Sequence, residues 1–336
     1  MNYIGSKLKL SSFLKEEILK VVGEDLSQKV FCDIFAGTGI VGRTFKQDVK
    51  QVISNDIEKY SYVLNKNYIE NNEEIKDKDE FIEKLNNLSL REDGFIYQNY
   101  CMGSGSERQY FSDDNGKRID TIRSKIKEWK DNDEISDNLY YFLLASLLES
   151  ADKVANTASV YGAFLKHIKK SALKELVLSP ADFELNDNSH QVFHKDSNEL
   201  IKKIEGDILY LDPPYNQRQY GGNYHLLNTI ALYDVFTPKG ITGMRHYNRS
   251  KYCKKLEVHR SFEDLIENAK FEYIFLSYNN EGLMSEEDVK KIMSKYGKYS
   301  LVQKEYKRFK VYKTKNRKHK PSCTYEYLHI LKKNNL

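Results

Sequence analysis

Short apolar runs alternate along this chain with longer segments whose apolar residues follow a helical spacing. The runs short enough to be single buried strands are residues 30–35, 51–54, 191–194, 208–211, 273–277, 301–312 and 324–331. The helical segments between them include residues 40–45, 57–68, 197–204, 224–233, 262–269 and 285–296. This alternation predicts βαβ units in a mainly parallel sheet, and the last strand pair adds an antiparallel member.

The middle of the chain has a different pattern. Helical spacing continues near residues 74–92, 122–129 and 138–154, whereas residues 99–120 are polar and rich in glycine and serine, which predicts a loop. We therefore predict a mostly helical insertion at residues 75–185. It divides a catalytic domain made of residues 1–74 and 186–336.

Composition is that of a globular protein, with 40% hydrophobic and 30% charged residues among 336. No apolar run approaches the roughly 20 residues of a membrane span, and the N-terminus has no apolar secretory segment. The four cysteines are scattered, which argues against a disulfide framework or a zinc site. We expect a cytoplasmic protein with reduced thiols, no membrane association and no metal.

Positive charge is concentrated in two regions, although the net charge is only +4. Residues 304–333 contain eleven Lys or Arg and two Glu, and residues 245–260 interleave basic side chains with aromatic ones. Such mixtures suit a phosphate-rich partner. A solvated lysine-rich surface is the alternative explanation.

Glycines or carboxylates follow three of the predicted strands. Asp33 precedes a turn with Gly37 and Gly39, where the backbone can approach a ligand closely. Asp56 lies 17 residues after Gly39, the place of a ribose-binding acid, and Asp196 ends a third strand. An ordinary turn and helix-capping acids are the alternatives. A full dinucleotide fingerprint is absent, so a nucleoside-bearing ligand without a pyrophosphate fits as well as NAD.

The predicted strand at residues 208–211 ends in Asp212, Pro213, Pro214 and Tyr215. The prolines stop the strand and remove two N–H groups, so that the carbonyls stay available as acceptors. Ligands bind at the carboxyl ends of strands in open α/β sheets. A carboxylate, a carbonyl and an aromatic ring at that edge suit a planar group with an exocyclic amino group, such as adenine. A strand-ending turn with a capping Asp is the alternative.

These motifs together resemble the Dam-like family of adenine-N6 DNA methyltransferases, in which the DPPY motif follows the glycine turn. The opening residues 3–7 (YIGSK), the turn at residues 35–39 (FAGTG) and residues 277–279 (SYN) occur in that family's order. The resemblance covers roughly residues 1–70 and 190–335. It implies a Rossmann-like S-adenosylmethionine-dependent methyltransferase sheet with a helical target-recognition insertion, and a type II restriction-modification methylase.

The resemblance also implies a role for each motif. Tyr3 and Lys7 would contact S-adenosylmethionine, as would Asp212. The remaining cofactor contacts would be Asp33, Phe35, Gly37 and Gly39 at the methionine portion, Asp56 at the ribose, and Asp196 at the adenine edge. Asp212 and the Pro213 carbonyl would hold the target amino group, Pro214 would complete the catalytic turn, and Tyr215 would stack on the flipped base.

Double-stranded DNA is the partner implied, with a cognate restriction endonuclease as a functional one, and we expect a monomer or weak dimer. The insertion is the main candidate for target recognition, with side chains such as Arg108, Gln109 and Arg118 of the types that read base edges. Residues 216–260 form a second DNA-contacting candidate. Residues 313–320 are expected to contact phosphate.

Three other functions stay open at this point. Cytosine-N4 or RNA amino-methyl transfer needs a similar turn, although Asp at its first place favours adenine. A catalytically inactive nucleic-acid-binding relative is the alternative from another class, and Lys7, Asp56 and the intact turn argue against it. A nucleotide-dependent dehydrogenase is the least favoured, because a third glycine at the standard spacing is missing.

Overall fold

A computed structural model of the protein describes residues 5–307 and 323–334. Their backbone forms two compact units, each built from separate stretches of sequence. The sheet unit contains the described residues of 7–57, 188–219 and the chain from 249 onward, and the helical unit contains those up to 6, 58–187 and 220–248.

The sheet unit is built on seven strands in the spatial order β3-β2-β1-β4-β5-β7-β6. The strands are β1 (Val30–Asp33), β2 (Gln51–Asn55), β3 (Gln191–Phe193), β4 (Glu205–Leu211), β5 (Lys270–Asn279), β6 (Gly297–Lys307) and β7 (Cys323–Lys333). Strands β1 to β5 pair in parallel, whereas β7 pairs antiparallel with both β5 and β6. The predicted α/β fold, a mainly parallel sheet with an antiparallel terminal strand, is therefore confirmed.

Twelve α-helices lie within the described residues. They are α1 (Ser11–Val22), α2 (Ile40–Phe45), α3 (Lys59–Asn65), α4 (Lys78–Asn86), α5 (Phe95–Tyr100), α6 (Asp113–Asp131), α7 (Asp137–Val154), α8 (Ser197–Leu200), α9 (Tyr220–Asn223), α10 (His225–Leu232), α11 (Val258–Asn268) and α12 (Glu286–Met293). None of the helices in the described part of the chain has the length and apolarity needed to cross a bilayer.

Buried strands carry continuous apolar side chains because helices cover both faces of a parallel sheet. Phe31, Ile208 and Ile274, from the three central strands, are all fully buried. The register pairs Asp33 with Tyr210, so β1 and β4 end at the same edge of the sheet. That edge carries the turns that follow β1, β2 and β4.

The helical unit has its own apolar core, in which α6 and α7 are the longest helices. Helix α6 begins at Asp113, so the loop predicted for residues 99–120 is wrong at its C-terminal end. Ser112 caps this helix by accepting a hydrogen bond from the Asn115 N–H, and two acidic residues in the first turn complement the helix dipole. The second predicted DNA-contacting segment, residues 216–260, contains the short helix α9 near its start.

The compact units have different boundaries from the predicted domains. The helical unit already begins at residue 58 instead of 75, and it also takes residues 220–248. Helix α3 belongs to it because Tyr60, Val63 and Leu64 are buried in its core. The assignment of catalysis to one region and of DNA recognition to the other stays a prediction.

Candidate active site

The turn after β4 carries a buried ion cluster. The Lys7 ammonium lies 3.1 Å from Asp212 Oδ1 and 2.6 Å from Glu326 Oε1. Lys7 and Glu326 are both buried, and Asp212 is half-buried at the carboxyl end of β4. Glu326 comes from β7, so one cation joins two carboxylates that are far apart in sequence.

Burial controls the charge of this cluster. Loss of hydration raises the pKa of Asp212 to about 6, and Glu326 also raises it, while Lys7 opposes the shift. Burial lowers the pKa of Lys7, but the two carboxylates outweigh that effect and hold it well above its usual value. Lys7 therefore stays protonated, and Asp212 is ionised at neutral pH with a basicity above that of an ordinary aspartate.

The remaining residues of the turn are held by β5 and by the segment after it. The Pro213 side chain is buried, and the Tyr215 carbonyl accepts a hydrogen bond of 2.9 Å from the Leu283 N–H. The Tyr215 ring meets Tyr278 edge-on at a centroid distance of 6.5 Å. These contacts fix the orientation of an aromatic ring that is still half-exposed.

A glycine turn follows β1. Gly37 and Gly39 have φ angles of +52° and +78°, in the left-handed region that favours glycine. The Gly37 N–H donates a 2.8 Å hydrogen bond to Asp56 Oδ2. The ring of Phe35 packs edge-on against Tyr252 at 5.0 Å. The predicted turn is thus joined to the carboxylate that follows β2.

Asp33 is buried at the end of β1, and its Oδ1 has no hydrogen-bond partner in the structure. Burial, Asp212 and Asp56 all raise its pKa well above the usual range. A buried acceptor without a donor is costly, and this one is electrostatically coupled to two further carboxylates at the ends of β4 and β2. An ammonium or hydroxyl group of a ligand would satisfy it.

Asn55 is a buried residue at this edge to which the sequence analysis gave no role. Its side-chain amide donates to the carbonyls of Ile34 and Lys195, each at 3.1 Å, and its Oδ1 accepts from the Lys195 N–H at 3.0 Å. It therefore joins the segments that follow β1 and β3 to the end of β2. Its position next to Asp56 was the only sequence signal.

Asp196 caps α8, because its Oδ1 accepts hydrogen bonds from the Asn198 and Glu199 N–H groups. This is the helix-cap role left open by the sequence, and the adenine-edge role stays a prediction. Tyr3 and residues 313–320 lie outside the described residues, and the contacts expected of them stay predictions.

The three side chains expected to contact bases instead donate hydrogen bonds to backbone carbonyls within the helical unit. Arg108 donates to the carbonyls of Asn99, Gly240 and Ile241. Gln109 donates to two carbonyls of the 157–169 loop, and Arg118 donates to the carbonyls of Asn86 and Leu88 at the C-terminal end of α4. All three support loops of their own unit.

The residues at the sheet edge fit the donor that the sequence resemblance implied. S-adenosylmethionine carries an ammonium, a sulfonium and ribose hydroxyls. The edge offers an unpaired buried oxygen on Asp33, a second carboxylate on Asp56 and a glycine turn that permits close backbone approach. Lys7, expected beside the donor's carboxylate, contacts Asp212 and Glu326 instead in this structure, and its contact with the donor stays a prediction.

Comparison with known proteins shows which family the chain belongs to. A model of the D12 class N6 adenine-specific DNA methyltransferase family matches residues 3–292. The chain is 66% identical over 333 residues to the type II methyltransferase M.NlaIII of Neisseria lactamica, covering 99% of each chain.

Two further relatives are about equally distant. The type II methyltransferase M.FokI of Planomicrobium okeanokoites is 41% identical, with 99% of this chain aligned to 53% of that protein. M.CviAII of Paramecium bursaria Chlorella virus 1 is 40% identical, with 92% and 93% covered. The chain therefore belongs to the D12 class of N6 adenine-specific DNA methyltransferases.

Proposed function

We propose that this chain methylates the N6 amino group of an adenine that has been flipped out of duplex DNA, with Asp212, Pro213, Pro214 and Tyr215 as the catalytic turn. The observation that carries the proposal is the Asp212 carboxylate at the end of β4, held by Lys7 beside a half-exposed aromatic ring. Adenine presents one exocyclic amino group with two N–H donors, and this turn offers two oxygen acceptors.

Asp212 and the Pro213 carbonyl accept hydrogen bonds from the two amino hydrogens. These bonds draw the nitrogen lone pair out of conjugation with the ring, so that it becomes nucleophilic. When the nitrogen gains a fourth bond and a positive charge, the Asp212 carboxylate is placed to take one amino proton. Its pKa of about 6 keeps it ionised at neutral pH and makes it a better proton acceptor than an ordinary aspartate.

S-adenosylmethionine, when bound, supplies an electrophilic methyl group. We propose that Asp33 and the turn with Phe35, Gly37 and Gly39 hold its methionine portion, and that Asp56 binds its ribose. The unpaired Asp33 oxygen and the left-handed glycines support this assignment. Tyr3, Lys7 and Asp196 keep the contacts that the family resemblance implies.

Tyr215 stacks on the flipped base. The half-exposed ring is oriented by Tyr278 and by the hydrogen bond to its backbone carbonyl. Stacking of a base on an aromatic ring contributes ~1–3 kcal/mol, which offsets much of the few kcal/mol that extrusion from the duplex costs.

The same proposal extends to the biological setting. We infer that the enzyme is a monomer or weak dimer that protects host DNA from a cognate restriction endonuclease in the cytoplasm. Curated relatives named type II methyltransferases support this setting, and three buried free cysteines suit a reducing compartment.

The test is expression in a bacterial host that lacks DNA methylation, followed by genome-wide mapping of modified bases. We expect N6-methyladenine confined to one short motif, and no modification with Asp212→Ala. N4-methylcytosine would overturn the choice of base. Turnover retained by Asp212→Ala would overturn the role of the turn. A chain that binds DNA but modifies nothing would be an inactive relative.

A further inference from the structure

A tight turn at residues 239–244 in the helical unit is unusually well supported. Lys239 and Met244 pair through two backbone hydrogen bonds of 2.9 and 2.8 Å. Between them, Gly240 and Gly243 have left-handed φ angles of +69° and +67°. A Cβ at Gly243 would lie 2.8 Å from the Tyr100 ring, so this turn is closely packed on its inner side.

Side chains from residues 100–110 bind the carbonyls of this turn. Arg108 donates to Gly240 and Ile241, each at 3.1 Å, and the Tyr100 hydroxyl donates to Gly243 at 2.8 Å. The Tyr110 hydroxyl lies 3.1 Å from the Thr242 carbonyl. Four successive carbonyls of a surface turn are therefore contacted by three side chains, an arrangement that removes the turn's conformational freedom.

The rigid turn presents an apolar side chain to solvent. Ile241 is 85% exposed. A single exposed apolar side chain is common. Here it stands at the tip of a turn whose backbone is fixed from below, and ordering the backbone in advance lowers the entropy cost of a contact made by that tip.

The neighbouring residue Gln109 fixes a second loop. Its side-chain amide donates to the carbonyls of Leu165 and Lys166 at 2.9 and 2.6 Å. Asn156 binds the same loop from its other end, accepting from the Lys169 N–H at 3.0 Å. Two loops that are about 75 residues apart in sequence are thus both attached to residues 108–110 of the helical unit.

The two loops are basic. Residues 155–174 contain four lysines and no acidic residue. Residues 235–248 contain Lys239 and Arg245, of which Arg245 is paired with Asp234. Lys166, Lys170 and Lys239 are exposed. A polyanion is the complementary partner, and the phosphates of duplex DNA provide regularly spaced negative charge.

We propose that these two loops form a DNA-binding surface of the helical unit, in which Lys166 and Lys170 contact phosphates and Ile241 contacts bases in a groove. Arg108 and Gln109 are positioning residues that hold the loops. The proposal rests on the proposed function, because it takes duplex DNA as the substrate. The sequence predicted that Arg108 and Gln109 contact bases. In this proposal they instead hold the loops that contact DNA.

Equilibrium binding tests the proposal with two duplexes, one containing the methylated motif and one lacking it, across 50–200 mM salt. Lys166→Ala with Lys170→Ala should reduce the slope of log K against log salt by about 2 for both duplexes, because each phosphate contact releases about 0.9 counterion. The matched control is Lys84→Ala with Lys127→Ala. These two lysines are exposed on helices beside Glu80 and Asp131, and we expect no change in slope.

Ile241→Ala should weaken binding to the motif duplex about tenfold, leaving the other duplex and both salt slopes unchanged, since a base contact carries sequence information and no charge. Leu256→Ala, at a residue 97% exposed in the sheet unit, is the control and should bind like wild type. Arg108→Lys keeps the charge but loses the forked donor. It should weaken binding to the motif duplex as Ile241→Ala does, and it should speed hydrogen exchange at the Lys239 and Met244 amides.

Wild-type affinity for the motif duplex with Ile241→Ala would overturn the proposal, as would a lysine pair that behaves like its control. Methyl transfer by the wild-type enzyme to the same motif duplex is measured in parallel. If that duplex is methylated while the variants bind normally, only this inference fails. If it is not methylated, the proposed function fails whatever the binding data show.

Discussion

Glu326→Gln removes one negative charge from the cluster around Asp212 without changing the shape of the side chain. Both carboxylates contact the Lys7 ammonium, at 3.1 and 2.6 Å. Glu326 raises the pKa of Asp212, although burial is the larger cause. Neutralising Glu326 should therefore lower the pKa of Asp212 and extend activity toward acidic pH.

Geometry bounds the size of this effect. Two oxygens that share one ammonium at those distances lie no more than about 6 Å apart, where two unit charges interact by about 0.7 kcal/mol in water and by about 3 kcal/mol at an effective dielectric constant of 20. One pH unit corresponds to 1.36 kcal/mol. The acid limb of activity should thus move down from about pH 6 by roughly 0.5 to 2 pH units.

The assay is kcat/KM for the motif duplex between pH 5 and 8.5, since its pH profile reports groups of the free enzyme. The titratable groups coupled to the Asp212 carboxylate include Lys7, Glu326, Asp33 and the hydroxyls of Tyr210 and Tyr215. At pH 8 the variant should match wild type, because Asp212 is ionised in both. Glu305→Gln, with the same charge change at an exposed position on β6, should leave the profile unmoved. An acid limb that stays in place or moves upward in Glu326→Gln would refute the reasoning.

Three further outcomes are expected. Asp212→Asn should raise the melting temperature at pH 8 but not near pH 4. Because burial raises the pKa of Asp212 to about 6, the native state binds more protons than the unfolded state between pH 4 and 6. The free energy of unfolding therefore falls by up to about 3 kcal/mol as pH rises through that window. His190 accepts a hydrogen bond from the Val52 N–H, and burial lowers the pKa of His190 to about 4. The protein therefore loses stability as pH falls from about 6.5 toward 4. His190→Gln should reduce the difference between the unfolding free energies measured in urea at pH 7.5 and at pH 4.5. Asn55→Ala should cost about 2–4 kcal/mol of unfolding free energy, because it leaves buried backbone groups unpaired, and should raise KM for S-adenosylmethionine. The control is Asn99→Ala, which removes a side-chain hydrogen bond to the Phe95 carbonyl in the helical unit.

The sheet could be predicted because each parallel strand is a short apolar run that ends in a polar turn. Periodicity located all five parallel strands and α7, and the order of motifs indicated the family. Helix α1, which buries Leu14 and Ile18, was missed, although its apolar residues at 14, 18, 21 and 22 follow a helical spacing. The start of α6 was missed because Asp113 to Gly116 looks like a polar loop, and the Ser112 cap outweighs that low helix propensity.

Local motifs predicted the residues that meet at the sheet edge, since chain topology alone brings the ends of β1, β2 and β4 together. Glu326 could not be found in this way. It meets Asp212 across the Lys7 ammonium, and Lys7 lies 319 residues from Glu326 in the sequence. The residues around Glu326 on β7 form no motif. Arg108 and Gln109 were misread for a related reason, because residue type shows what a side chain can donate to but not which acceptor the fold places within reach.

The position of β7 between β5 and β6 bears on how the protein is made. Strands β1 to β5 and the whole turn at residues 212–215 are translated before residue 326, and translation proceeds at roughly 5–20 residues per second. Until then the sheet ends at β5, and Lys7 lacks the second carboxylate that accompanies Asp212 in the finished protein. The charge arrangement around Asp212 is therefore completed only once β7 has been translated. Truncated products that stop before residue 326 carry the complete motif set without the finished charge arrangement around Asp212.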